Sequence, residues 1–210
     1  MTIEFLRYLT AGSAIWAAAA LAGQVWSARS GRRPDLSRPA GSPAKGVWYN
    51  FTTAMLPWHK ETARLHMVEF GAGVILHVGV LLTLVGVLVL LVAPGVGGRV
   101  LAWLGPVSLL SLAAGIGLLV RRMTSSQMRA ISAPDDYLAI VVTCGLLIFE
   151  TAFAFSWTSA GPLLAYTSLL LVYLPLGKLR HAVFFFLARA DYGRRLGRRG
   201  VYPPAPLSGD

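Results

Sequence analysis

Four histidines carry most of the chemistry available to this chain: His59, His66, His77 and His181. His77 lies inside the apolar run GAGVILHVGVLLTLVG, and His181 closes LPLGKLRH just before another apolar turn, AVFFFLA. An ionisable group inside a bilayer is expensive and normally faces the interior of a bundle. There it either bonds a neighbouring carbonyl or hydroxyl, or ligates a metal. Gly73 falls one turn before His77 on the same helical face, with Gly71 and Gly79 close by. Glycine lets a flat macrocycle approach a helix backbone, and it equally allows close helix–helix packing. Haem b needs two axial imidazoles, usually from two helices of a bundle. His181 is the only other histidine in a different membrane run, so it is the partner of His77 if a bis-histidine haem is present. One cysteine, Cys144, excludes a disulfide framework and a Cys/His metal cluster.

The elements that must hold these residues are apolar. Of 210 residues 55% are hydrophobic and 13% charged, with a mean hydropathy of +0.61, which excludes an ordinary soluble globule. The expected class is all-α, a polytopic membrane bundle. Five runs, over 5–26, 67–92, 100–120, 137–157 and 162–187, reach the roughly 20 residues that cross a hydrocarbon core. The first is read as a helix and not a signal peptide, because Trp26 stands where a small-residue cleavage site would be. The whole chain reads as one membrane domain. Residues 27–47 form an irregular linker, 48–66 an aromatic interfacial segment and 188–210 a basic tail. Pro57 is expected to start a helix that feeds into the second span, PGVGG to form a short turn, and Pro175 to kink the fifth span.

Charge orients the bundle. Seventeen of nineteen Lys and Arg fall in 27–66, 121–136 and 178–210, all on one side of a five-span arrangement. The positive-inside rule then puts the N-terminus outside and the C-terminus in the cytoplasm. The net charge of +10 describes a membrane face that meets anionic lipid or an acidic soluble partner, not a nucleic-acid site.

Other residues are candidates of a second rank. His66 lies eleven residues before His77, on the same face if the helix is continuous, near an interface where propionates, a quinone headgroup or a partner would lie. Arg121, Arg122 and Arg129 suit haem propionates as well as simple topology. Asp135 and Asp136 suit a helix start. Glu150 lies deep in the fourth run, either as a packing residue or as part of a proton path or quinone contact. No nucleophile–base pair and no phosphate loop is present, so no residue is assigned a catalytic role.

Three stretches, ILHVGVLLTLVG, LLVRRMTSSQMRAISAPDDYLAI and LPLGKLRHAVFFFLARADYGRR, resemble the membrane gamma subunit of respiratory nitrate reductase. They are similar also to the cytochrome b subunits of complexes with heterodisulfide-reductase-like iron–sulfur partners, including those linked to sulfite reduction, and MLPWHKETARLH resembles this second branch more. The likeness covers most of 48–195. It implies a haem-b electron-transfer subunit of a bacterial or archaeal inner membrane, working between menaquinone or ubiquinone and a cytoplasmic iron–sulfur subunit of a larger membrane complex. It implies also that His77 and His181 ligate the haem nearer the cytoplasm. Val87 and Leu163 stand where the nitrate reductase pattern has a second histidine pair, so one haem b is expected. Within LPLGKLRH, Gly177 is expected to leave room beside the haem, and Lys178 and Arg180 to reach propionates or the partner. The competing class is a haem-free anchor or quinone-binding subunit.

Overall fold

The structure, a computed structural model, describes residues 2–31 and 36–204; among them every regular element is helical. The helices are α1 (Ile3–Ser30), α2 (Pro43–Phe51), α3 (Glu61–Leu65), α4 (Met67–Val92), α5 (Pro94–Thr124), α6 (Ser126–Ala130), α7 (Pro134–Ala154), α8 (Ala160–Tyr173) and α9 (His181–Arg198). Helices α1, α4, α5 and α7 are each long and apolar enough to cross a membrane, and α8 with α9 makes a fifth span if the pair is one broken segment. The chain is thus an all-helical membrane-spanning protein. It divides into two compact units: Met1–Leu21 with Val68–Leu179, and Ala22–Met67 with Arg180–Asp210.

The first unit is a bundle. Its core joins Leu6 of α1, Val87 and Leu90 of α4, Leu101 of α5, Leu146 of α7 and Leu163 of α8, all buried. Helices α4 and α5 are separated by Ala93 alone, because Pro94 sits at the first helical position, where its missing N–H costs nothing. PGVGG, expected as a turn, is therefore the first turn of α5. Gly97 makes this possible: any Cβ there would run into the Leu90 backbone. The α7–α8 turn is closed by Ser156 at φ 60°, with Trp157 N–H donating to the Ala152 carbonyl at 2.8 Å.

The fifth span is not the continuous kinked helix expected over 162–187. Helix α8 stops at Tyr173, residues 174–177 form an irregular turn, a 3₁₀ turn covers Lys178–Arg180, and α9 begins at His181. Pro175 ends the helix because it offers no N–H to the preceding turn.

The second unit is built on backbone contact. Helices α2 and α9 run antiparallel: Gly41 meets Gly197 and Gly200, and Gly46 meets Gly193 and Gly197 so closely that no side chain would fit. Small residues let two backbones approach in this way. Asn50 Nδ2 donates to the Arg189 carbonyl at 2.6 Å, and the Arg189 guanidinium returns to the Asn50 carbonyl at 2.6 and 3.0 Å. Part of the expected linker (from Pro43) and part of the expected tail (to Arg198) are thus ordered helix. Pro57 opens only a 3₁₀ turn, Pro57–His59, and His66 interrupts the helix between α3 and α4 at φ −134°.

Candidate functional site

Three polar groupings stand out, two in the first unit on facing helices and one around a single histidine. His77 sits in α4, the most apolar of the spans, yet its side chain is exposed. Its Nδ1 lies 2.6 Å from the Gly73 carbonyl one turn earlier. A carbonyl oxygen only accepts, so the neutral ring carries its proton on Nδ1 and its lone pair on Nε2. The positions where Gly71 and Gly73 would carry a Cβ open on empty space. Gly79, by contrast, is filled by Ser111 of α5 and serves helix packing. An oriented imidazole beside two open glycines fits the edge of a flat ligand.

The second grouping closes one end of the bundle. Asp136 accepts from the Ala133 N–H at 2.8 Å, capping α7 from within its first turn. It also meets Lys178 at 2.6 Å and Arg122 at 3.7 Å. Arg122 donates to Ser132 Oγ at 2.8 Å, Arg121 pairs with Glu69 at 3.0 Å, and Arg129 donates to the Met123 carbonyl at 3.3 Å. The Tyr173 hydroxyl donates to Asp135, and the Tyr173 ring fills the space beside Gly177. Gly177 therefore makes room for a tyrosine of its own unit, a correction to the expected gap beside a haem. Lys178 likewise turns to Asp136. The three arginines each have a protein partner in the bundle end.

The third grouping is a layer across α4, α5 and α7. The helix register fixes it. Gly115 of α5 meets Leu76 and Cys144; one turn on, Gly79 meets Ser111 and Leu147; two turns beyond that, Gly105 meets Ala154. The stretch in between holds Ser108, Glu150 and Thr151, with Thr83 of α4 toward the Gly105 level, since Gly86 one turn further on meets Leu101 and Leu104. All four are buried, Glu150 and Thr83 completely. The Ser108 side chain neighbours the Glu150 carboxyl. Yet neither Glu150 oxygen, nor the hydroxyl oxygens of Thr83, Ser108 and Thr151, has a partner in hydrogen-bond geometry. Glu150 was visible in the sequence; the three hydroxyls were not, because only the register of the neighbouring helices brings them to its level.

The remaining candidates stand apart from these. Val87 and Leu163, 1% and 0% exposed, are locked in the apolar core of the bundle. His181 belongs to the second unit, where it is the exposed first residue of α9. His66 belongs to the second unit too, and the helix break there removes the continuous face expected to link it to His77. In that unit Tyr202 packs on Tyr49 and Tyr192, and burial pushes its hydroxyl above the usual tyrosine range. Burial and then the Arg189 charge pull Lys60 below the ordinary lysine range. The chain matches no family model, no curated protein and no solved structure.

Proposed function

We propose that this protein is a haem-b-binding membrane subunit that exchanges electrons between the quinone pool and a cytoplasmic iron–sulfur subunit. The observation that carries the reading is His77. An exposed imidazole in a strongly apolar span is costly against lipid, so something must cover it. The Gly73 carbonyl holds the ring in the tautomer whose Nε2 can ligate iron, and Gly71 and Gly73 leave the flank open. His181 would be the other residue to hold the haem in this reading, a role that rests on its being the one other histidine in an apolar run of the sequence. Once bound, haem b would supply one-electron transfer at a potential set by its ligands and surroundings.

The residues of the chain set the limits of the site. Val87 and Leu163 fill the core where a second histidine pair would stand, which supports one haem per chain. The paired arginines at the bundle end fix helix ends. The basic segments support a C-terminus in the cytoplasm of an inner membrane, where an iron–sulfur partner of heterodisulfide-reductase-like type would dock. Fusions of a cytoplasmic reporter after residues 45 and 200 should both be active; an external location for either reverses the orientation.

The test is a visible spectrum of the purified, dithionite-reduced protein with haem counted per chain. One low-spin haem b is expected, lost in His77→Ala and in His181→Ala and kept in His66→Ala. A wild-type spectrum in either of the first two variants breaks the ligand pair. A colourless, folded protein leaves the anchor or quinone-binding class.

A further inference from the structure

The bundle treats its hydroxyl side chains in two ways. Thr10, Ser13, Thr143, Thr167 and Ser168 each donate to a carbonyl four residues back on their own helix, at 2.7 to 2.9 Å. Ser111, one turn from Ser108, donates across to the Ile75 carbonyl of α4 at 2.9 Å. This is the cheap way to bury a hydroxyl in an apolar helix. Thr83, Ser108 and Thr151 do not take it, though each is buried and each has the same helical carbonyls available. All three stand in the layer of Glu150.

Among the described residues five buried oxygens of this region stand outside hydrogen-bond geometry, and the one neighbour set beside the Glu150 carboxyl is the Ser108 side chain. A buried polar group left unsatisfied costs about 1–3 kcal/mol, and an uncompensated buried charge costs more. Glu150 cannot be ionised there alone. Among the described residues no cationic side chain is set against it: Ser108 of α5 faces it and does not titrate, Thr83 of α4 stands toward the next turn, and Arg7 of α1 is held at the Leu91 carbonyl, eight residues or about 12 Å of rise from Thr83 along α4. The titratable groups nearest in register are Cys144, against Gly115, and Tyr166, whose ring lies on Phe149 and whose hydroxyl stands over Gly145. The ionic end of the bundle is too distant. Glu69 lies fourteen residues from Thr83 along α4, about 21 Å of rise. One negative charge with neutral hydroxyl oxygens suits a singly charged hard cation; a divalent ion would need more carboxylates.

We propose that the layer of Thr83, Ser108, Glu150 and Thr151 is an exchangeable binding site for one monovalent cation, a proton or Na+. Glu150 balances the charge and the three hydroxyls complete the shell. Uptake of a proton converts the carboxylate to the acid, whose O–H then donates to a hydroxyl of the layer. Na+ instead leaves the carboxylate ionised and draws on the hydroxyl lone pairs. Either ion explains why these hydroxyls are turned off their own helices. The site lies wholly in the first unit and needs no haem.

The experiment is an infrared pH titration of the full-length protein in liposomes, in Na+-free choline buffer and again in about 0.1 M Na+. A protonated-carboxyl band is expected, shifted by ¹³C-glutamate labelling and absent in Glu150→Gln. The labelling narrows the band to the four glutamates of the chain and its movement in Ser108→Ala ties it to Glu150, so poor folding of Glu150→Gln does not end the test. If the ion is a proton, the band is lost on raising pH with the same midpoint in both buffers. If it is Na+, sodium lowers the midpoint by a unit or more, a tenfold competition, and potassium does so less. In Ser108→Ala the band moves to higher frequency, because the carboxyl has lost a hydrogen-bonding neighbour. The proposal is overturned by a glutamate band that is absent throughout, or that persists unchanged through the whole pH range in both buffers. It is overturned equally if Ser108→Ala and Thr83→Val both leave band and midpoint as they were.

Discussion

Helix α7 carries two buried or half-buried acidic sites fourteen residues apart, and they have opposite surroundings. Asp136, at the first turn, caps the helix and holds two cations. Glu150, near the other end, is completely buried and its oxygens meet no partner in hydrogen-bond geometry. The same chemical group therefore does two jobs in one helix. Where a carboxylate has every bond it can use, its role is to hold the fold. Where it is enclosed and left short, the fold is carrying a cost, and buried costs of this kind cluster at sites that bind something.

The largest effect expected from that contrast is at Asp136. Replacing it with alanine removes the bond to the Ala133 N–H and the contacts with Lys178 and Arg122 together. The cap is worth about 1 kcal/mol, and the ion pairs add less than their distances suggest because Lys178 is 47% exposed. A loss of about 2 kcal/mol, or roughly 5 °C in Tm for a chain of this size, should appear in thermal melts in detergent. A melt unchanged within error would mean that the charges at this end are ornaments of topology.

The opposite sign is expected at Glu150. Glu150→Met keeps the volume and removes a carboxyl that has no fixed partner, so it should stabilise the bundle by about 1 kcal/mol in the same melts. Loss of stability comparable to that of Asp136→Ala would show that Glu150 is a structural residue and erase the contrast.

How far these two sites could be read in advance differs for a physical reason. The spans, the basic segments and the misfit of His77 and Glu150 are visible in the chain, since hydropathy and isolated polar residues are local properties. Asp136 as a helix start is legible too, from Pro134 and the acidic pair behind it. Thr83, Ser108 and Thr151 are ordinary residues until three helices are set in register. Gly46, Gly193 and Gly197 look like linker and tail glycines, and only the pairing of α2 with α9 gives them a purpose. The sequence around Tyr173 suggests a kink and not a break, because Pro175 alone allows either outcome. The Tyr173 ring over Gly177, tied to Asp135, is what fixes the interruption.

That tie gives a smaller test on the paired side. Tyr173→Phe keeps the ring over Gly177 and deletes only the hydroxyl that donates to Asp135. A cost somewhat below 1 kcal/mol is expected, because Asp135 at the helix start regains water as its donor. Tyr173→Ala should cost clearly more, since the pocket beside Gly177 is then empty. Equal losses in the two variants would assign the whole effect to the hydroxyl.

The smallest effect should come from Arg121. Its guanidinium meets Glu69 at 3.0 Å, tying α5 to α4, but the two side chains are 39% and 28% exposed. A pair that open to solvent is worth about 0.2–1 kcal/mol, and salt screens it because the Debye length falls from about 10 Å at 0.1 M to about 3 Å at 1 M. Arg121→Gln should therefore lower Tm by no more than about 2 °C at low salt. At high salt the variant and the wild type should melt together. The Glu150→Met difference should survive the same rise in choline chloride unchanged, because it arises inside the bundle where no screening counter-ion enters and choline does not fit the site. Convergence of both variants with the wild type would place Glu150 in contact with solvent ions, and parallel melts of Arg121→Gln and wild type at every salt would remove the ion pair from the account of this end.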